Sequence, residues 1–193
     1  MTERASEVAD TVHEIIDACR SMAGLPYDGE PVDQLEHALQ CALLARSSGA
    51  ERDLMIAALL HDIARAPAVA GIAYDGPREH HGEAAARWLA PRVGSRIAWL
   101  AAQHVPAKRY LVATDINYHA RLSDVSNRTL IAQGGPMSDA EVEAFRSHPD
   151  WQLAVALRDL DDRGKVPGAV VPGLGEYRAA LTEVVDETLG QAT

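Results

Sequence analysis

Cysteine is almost missing from this chain: Cys19 and Cys41 are the only two in 193 residues. Two thiols so placed make neither a disulfide framework nor a metal-binding spacing. A membrane-spanning run of ~20 apolar residues is also missing, so no membrane role is expected. Positive charge is short, 18 Lys and Arg against 28 Asp and Glu, for a formal net charge of −10. Nucleic acid, whose phosphates demand a basic surface, is therefore not an expected partner. The overall sign does not decide what a small pocket binds, because local charge can oppose it. The segment Met1 to Asp10 is polar and acidic, unlike a secretory or transit peptide. A reduced, cytoplasmic protein is the expectation. Repeats, low-complexity tracts and the alternation of strands are scarcely to be found.

What is present is helical periodicity over a largely apolar composition, which predicts a single all-α domain over residues 1–193, an irregular helical bundle. One helix is expected from about Ser6 to Arg20, with Val8, Val12, Ile15, Ile16 and Cys19 on one face. Others are expected at about Val32 to Ser48, ended by Gly49, and at about Glu51 to Arg65, stopped by Pro67. Further helices are expected at Arg78 to Leu89, Gly94 to His104 and Ser123 to Ala132. Ser138-Asp139-Ala140-Glu141 reads as a capping box. Helices near Asp150 to Asp162 and Leu174 to Leu189 complete the bundle, with Gly164 to Gly175 as a surface connection.

Polar residues on otherwise apolar helices carry the chemistry. His61 and Asp62 interrupt Leu54 to Ile63, and His37 lies in a similar setting one helix earlier. A buried histidine beside a buried carboxylate needs a partner, because an unpaired charge there is costly. A histidine followed about two dozen residues later by His-Asp opens the HD-domain pattern, and a distant aspartate, best matched by Asp161, completes it. His81 and His104 raise the candidates to six. Six protein ligands crowd one octahedral ion, whereas two ions bridged by Asp62 each keep open positions, so two metals are expected. Imidazole and carboxylate without thiolate suit iron or manganese, with zinc and nickel remaining open. His80 is the alternative to His81 as ligand. His13, His119 and His148 sit in polar contexts and are expected to be solvated, and Cys41 is expected to be core.

The segments Gln103 to Leu111, Leu122 to Ser126 and Leu130 to Met137, the last containing Gln133-Gly134-Gly135-Pro136, carry a further likeness. With the histidine pattern they make the chain, from about Tyr27 to Tyr177, resemble the HD-domain mixed-valence di-iron oxygenases that cleave the carbon–phosphorus bond of 1-hydroxyphosphonates. The resemblance implies two iron ions as cofactor, O2 as co-substrate and a small anionic phosphonate as partner. It places the metal ligands on His37, His61, Asp62, His81, His104 and Asp161. It places phosphonate contacts on Lys108, Ser126, Gln133 and Arg158, with His80 beside the substrate. It also implies oxidation: hydrogen leaves the hydroxyl-bearing carbon, and phosphate and a carboxylate are released. One departure stands out. Some members carry a histidine four residues after the HD histidine, where this chain has Arg65.

Tyr27 and Glu30 are expected to form a substrate-sensing lid beside the helix of His37. In relatives acting on amino-substituted substrates, matching residues respond to the substrate's cationic end. On that basis the expected substrate is a 2-amino- or 2-trimethylammonio-1-hydroxyethylphosphonate, with Tyr27, Glu30 and Lys108 as catalytic residues. The same ligands would serve a metal-dependent phosphohydrolase acting on a small phosphoester, or an HD oxygenase of a polyol, as in inositol oxygenase. The polyol reading gives the anion clamp no purpose.

Overall fold

The computed structural model describes residues 3–27, 29–70 and 81–191. Its helices are α1 (Glu3–Arg20), α2 (Gln34–Ser47), α3 (Arg52–Leu60), the short α4 (Pro67–Ala70), α5 (His81–Ala102), α6 (His104–Thr114), α7 (Asp124–Ala132), α8 (Asp139–Arg146), α9 (Trp151–Arg163) and α10 (Arg178–Gln191). Among the described residues there is no strand beyond one isolated bridge between Pro26 and Asp33. The expected all-α bundle is what forms. No described helix is long and apolar enough to cross a membrane.

The main core lies between α1, α3, α5 and α10. The apolar stripe of α1 (Val8, Val12, Ile15, Ile16 and Cys19) is buried as its spacing required. It packs with Leu59, Leu89, Leu100 and Leu181, all at 0 % exposure. Each such leucine contributes about 1.5–3 kcal/mol by leaving water. Leu89→Ala would therefore cost about 2–5 kcal/mol, cavity included.

Three departures from the expected helices shape the site. The helix expected to continue to Arg65 stops at Leu60. Asp62 takes φ −102°, ψ 13°, and Ile63–Arg65 tightens into a 3-10 turn. Neighbours on an α-helix diverge by about 100°, so an unbroken helix would not aim both His61 and Asp62 at one point. The two helices expected around Leu89 and Gly94 follow one another in α5, across a break where Gly94 has φ 82°. Only glycine holds that conformation cheaply. The break doubles the chain back, so a Cβ on Gly82 would lie 2.9 Å from the Ala102 carbonyl. His81 and His104 are thereby brought together. Finally, α6 begins at His104, where a helix was expected to end. Pro106 stands in its first turn, where a missing N–H has no helical partner to lose.

α2 starts as its sequence indicates. Asp33 and Glu36 form a reciprocal capping box that fixes the register carrying His37 inward. The capping box at Ser138 and Glu141 forms as expected, opening α8.

Candidate metal centre and anion pocket

Five elements meet at one buried point. His37 comes from α2, His61 and Asp62 from the end of α3, His81 from the start of α5, His104 from the start of α6 and Asp161 from α9. All six are almost wholly inaccessible. The ring Nδ1 atoms of His37, His61 and His104 lie 2.8, 2.9 and 3.0 Å from the carbonyls of Gly164, Ala58 and Ala101. A carbonyl can only accept, so each Nδ1 carries the proton. In the neutral ring the Nε2 lone pair then points to the centre.

Those lone pairs converge. His37 Nε2 is 3.1 Å from His61 Nε2, and His81 Nε2 is 2.6 Å from His104 Nε2. His37 and His61, whose Nδ1 protons leave both Nε2 atoms as acceptors, repel at such a distance unless a cation or a proton stands between them. Ligands about 2.1 Å from one octahedral ion lie about 3.0 Å apart when cis, close to this spacing. Asp62 joins the two groups. Its Oδ2 is 3.4 Å from His61 Nε2 and 4.0 Å from His37 Nε2. Its Oδ1 is 3.0 Å from His81 and 3.7 Å from His104. Asp161 Oδ1 lies 3.4 Å from His37 on the first side. One carboxylate facing two imidazole pairs is the arrangement of a bridging ligand, and these donors fit a pair of divalent ions.

The titrations agree. Burial alone would raise the Asp62 carboxyl, but the charges of His61 and Arg65 and the hydrogen bond with His81 hold it well below the usual carboxylate range. Burial works to raise Asp161 too, and Arg158 and His37 hold it down. Burial, with His81 beside it, pushes His104 well below the ordinary histidine value, so the ring is neutral and free to coordinate. Burial would lower His61 as well, but Asp62 raises it, so this side of the centre attracts positive charge. Cys41 Sγ sits 3.7 Å from His37 Nε2 and donates to the Leu160 carbonyl at 3.5 Å. Burial and the nearby aspartates hold it well above the ordinary thiol value, so it stays a thiol.

Against this centre lies a cavity of about 40 Å³, lined among others by Tyr27, Lys108, Ser126, Gln133, Arg158 and Lys165. The four expected phosphonate contacts are thus brought together. Lys108 Nζ donates to Thr129 Oγ1 at 2.9 Å and faces the Ser126 carbonyl at 3.4 Å, both uncharged. Burial, helped by Arg158, lowers its pKa from 10.5 to about 7. Gln133 Oε1 is buried with no hydrogen-bond partner among the described residues; as an acceptor it could take a hydrogen bond from a ligand hydroxyl, whereas only the amide NH2 could donate to a phosphonate oxygen. Arg158 lines the cavity with its Nη2 3.5 Å from Ser126 Oγ, and it is also held by carboxylates. Its Nη1 donates to Asp161 Oδ2 at 2.7 Å, and its Nη2 pairs with Asp162. Its Nε donates to the Tyr118 hydroxyl at 2.8 Å. Two carboxylates already meet its charge.

Tyr27 lines the cavity on the His37 side. Its ring stacks on His37 with centroids 4.0 Å apart, and its hydroxyl donates to Asp161 Oδ1 at 3.1 Å. Glu30, expected to answer a cationic end of the substrate, already has a cation in the protein. Its Oε1 accepts from Ser123 Oγ at 2.7 Å and pairs with Lys165 Nζ at 3.4 Å. Gly164 and Lys165 lie in the stretch expected to be a surface connection, and no periodic pattern marks them. The signal available was position, immediately after the helix that carries Asp161. Arg65 is buried, with Nε 3.4 Å from Asp62 Oδ1, so the departure at this position touches Asp62 itself. His80 lies outside the described residues. His13 is exposed against Asp17, whereas His148 stacks on Trp99.

An HD-domain model matches residues 35–132, a span that holds five of the six converging residues. The chain belongs to the HD-domain family. Within it, this HD-domain chain is 37 % identical over 166 residues to a [1-hydroxy-2-(trimethylamino)ethyl]phosphonate dioxygenase (glycine-betaine-forming) of Leisingera caerulea, covering 85 % of each chain. It is 38 % identical over 174 residues to a hydroxymethylphosphonate dioxygenase of Gimesia maris, covering 86 % of this chain and 84 % of that one. An uncharacterised protein of Acanthamoeba polyphaga mimivirus is 31 % identical over 186 residues, covering 94 % of this chain and 85 % of that one.

Proposed function

We propose that this HD-domain protein is a dioxygenase that cleaves the carbon–phosphorus bond of a 1-hydroxyphosphonate, with two iron ions held by His37, His61, Asp62, His81, His104 and Asp161. The observation that carries the reading is Asp62, whose two oxygens face two separate histidine pairs beside a buried cationic cavity. The two relatives named as phosphonate dioxygenases support the same reaction class. For the simplest substrate the balance is hydroxymethylphosphonate dianion plus O2 giving formate, hydrogen phosphate and one proton. Iron, when bound, supplies the electron transfer to O2.

The protein's own residues bind, orient and exclude. Lys108 offers an ammonium with no carboxylate partner among the described residues, and the Ser126 hydroxyl and the Gln133 amide NH2, which line the same cavity, are the donors for the remaining phosphonate oxygens. Arg158 acts chiefly by fixing Asp161, because its guanidinium is spent on Asp161 and Asp162. Tyr27 closes the site in the resting state and must leave its place over His37 for substrate to enter a cavity this small. Glu30 gives no separate support for a cationic substrate tail, because Lys165 already answers its charge.

The test is to purify the protein without chelators, measure metal content, and follow O2 uptake beside phosphate release with hydroxymethylphosphonate. Two irons per chain and one O2 per phosphate are expected. Phosphate released from a phosphoester without O2 uptake would instead establish a hydrolase. Turnover of an uncharged polyol in place of any phosphonate would establish the polyol oxygenase.

A further inference from the structure

The cations around the cavity are not equally engaged. Arg65 faces Asp62, and Arg158 is paired with both Asp161 and Asp162. Among the described residues Lys108 holds only uncharged oxygens. The fourth is Lys165, directly after the Gly164 that ends α9. Its side chain is 12 % exposed and its counter-ion Glu30 is 11 % exposed, so the pair is largely withdrawn from water. Their 3.4 Å separation is long beside the about 2.7–2.9 Å of a well-made charge-assisted hydrogen bond.

Lys165 Nζ also lies 3.4 Å from Ser126 Oγ, while Lys108 Nζ lies 3.4 Å from the carbonyl of the same serine. Two ammonium groups therefore approach Ser126 from two elements. A phosphonate dianion seated at Ser126 carries two charges and has three oxygens to share between them. Glu30 offers one charge, from an oxygen already accepting from Ser123.

We propose that Lys165 is the second cationic ligand of the substrate's phosphonate, with Glu30 as its resting counter-ion. The proposal rests on the phosphonate reading above. It makes the protein selective for a doubly charged anion through its two lysines, and it gives Glu30 a partner-exchange role at the anionic end of the substrate. Exchange reaches the lid by a short path. The Glu30 backbone N–H donates to the Tyr27 carbonyl at 2.7 Å, and Lys165 Nζ stands 5.6 Å from the Tyr27 ring centre. Withdrawing Lys165 onto a phosphonate removes one of the two side-chain contacts of Glu30 and leaves the one from Ser123.

The experiment is anaerobic calorimetric titration of the metal-loaded protein with hydroxymethylphosphonate, with metal content measured in every variant. Lys165→Gln should weaken binding about 10- to 100-fold, the loss of one charge-assisted contact. Lys165→Arg should stay within a few-fold of wild type. Glu30→Gln should bind several-fold more tightly, because no resting ion pair has to be broken. Lys165→Gln within twofold of wild type, at full metal content, overturns the assignment. If that variant does not fold, Glu30→Gln decides: tighter binding supports the exchange, and unchanged or weaker binding overturns it. Wild-type protein that binds no phosphonate at all would overturn the functional reading, and this proposal with it.

Discussion

The pH dependence of phosphonate binding tests the pocket most directly, through Lys108. Burial, with Arg158 nearby, brings this ammonium from 10.5 down to about 7 in the absence of substrate. At pH 7 it is half protonated, and at pH 9 only about 1 % of molecules carry the charge, by the arithmetic of one titrating group. A dianion bound to the charged form must then take up a proton, so affinity should fall about tenfold per pH unit above 7. Below about pH 6 the phosphonate itself protonates and loses charge, taking its second ionisation to resemble that of a phosphate ester. Wild type should therefore bind best near neutrality. In Lys108→Met the alkaline slope should lose one proton's worth, while any slope from metal-bound water is shared by both proteins. The assay is the calorimetric affinity for hydroxymethylphosphonate from pH 6 to 9.5 under anaerobic conditions. Equal alkaline slopes in the two proteins would refute the reasoning. Stability gives a second reading of the same group. The folded pKa lies below the unfolded one, so the unfolded chain binds more protons between about 7 and 10.5. Lysine burial thus destabilises fully below pH 7 and progressively less up to 10.5, and Lys108→Met should be most stabilising at the acid end.

Asp62→Ala should lose both metals and all activity by metal analysis and O2 uptake, and a variant that keeps two ions would remove the bridge from the reading. In Tyr27→Phe the stack on His37 survives but the hydroxyl bond to Asp161 does not; easier opening should improve apparent phosphonate affinity by up to about tenfold, and weaker binding would mean that Tyr27 assists rather than blocks. Gly164→Ala would place a Cβ 2.5 Å from Cys41 Sγ and 3.3 Å from His37 Nδ1, so it should cost about 1–3 kcal/mol in a denaturant melt and loosen metal. Adding Cys41→Ala should recover much of that loss, and an unchanged melt in Gly164→Ala alone would show the contact to be soft.

The sequence by itself determined the helical class, the faces that form the core and the identity of the six inward donors. These are local matters. Val8, Val12, Ile15 and Ile16 repeat with the period of a helix, and a histidine amid alanine and leucine announces a buried polar group wherever the chain takes it. Ser138 with Glu141 marks a helix start because a cap is made by residues three apart. The tertiary structure decided what those groups do to each other. Whether His61 and Asp62 could face one point depended on α3 breaking at Leu60, and His81 met His104 only because Gly94 turned α5 back. Arg158 meets Asp161 and Asp162 within its own helix, three and four residues on, a spacing the sequence already carries, but its bond to the Tyr118 hydroxyl comes from packing with the α6–α7 connection. Lys165 was invisible for the same reason. It lies in a glycine- and proline-rich stretch without periodicity, and its counter-ion is 135 positions away. Charge compensation between distant segments is a property of where they are packed, and no local pattern records it.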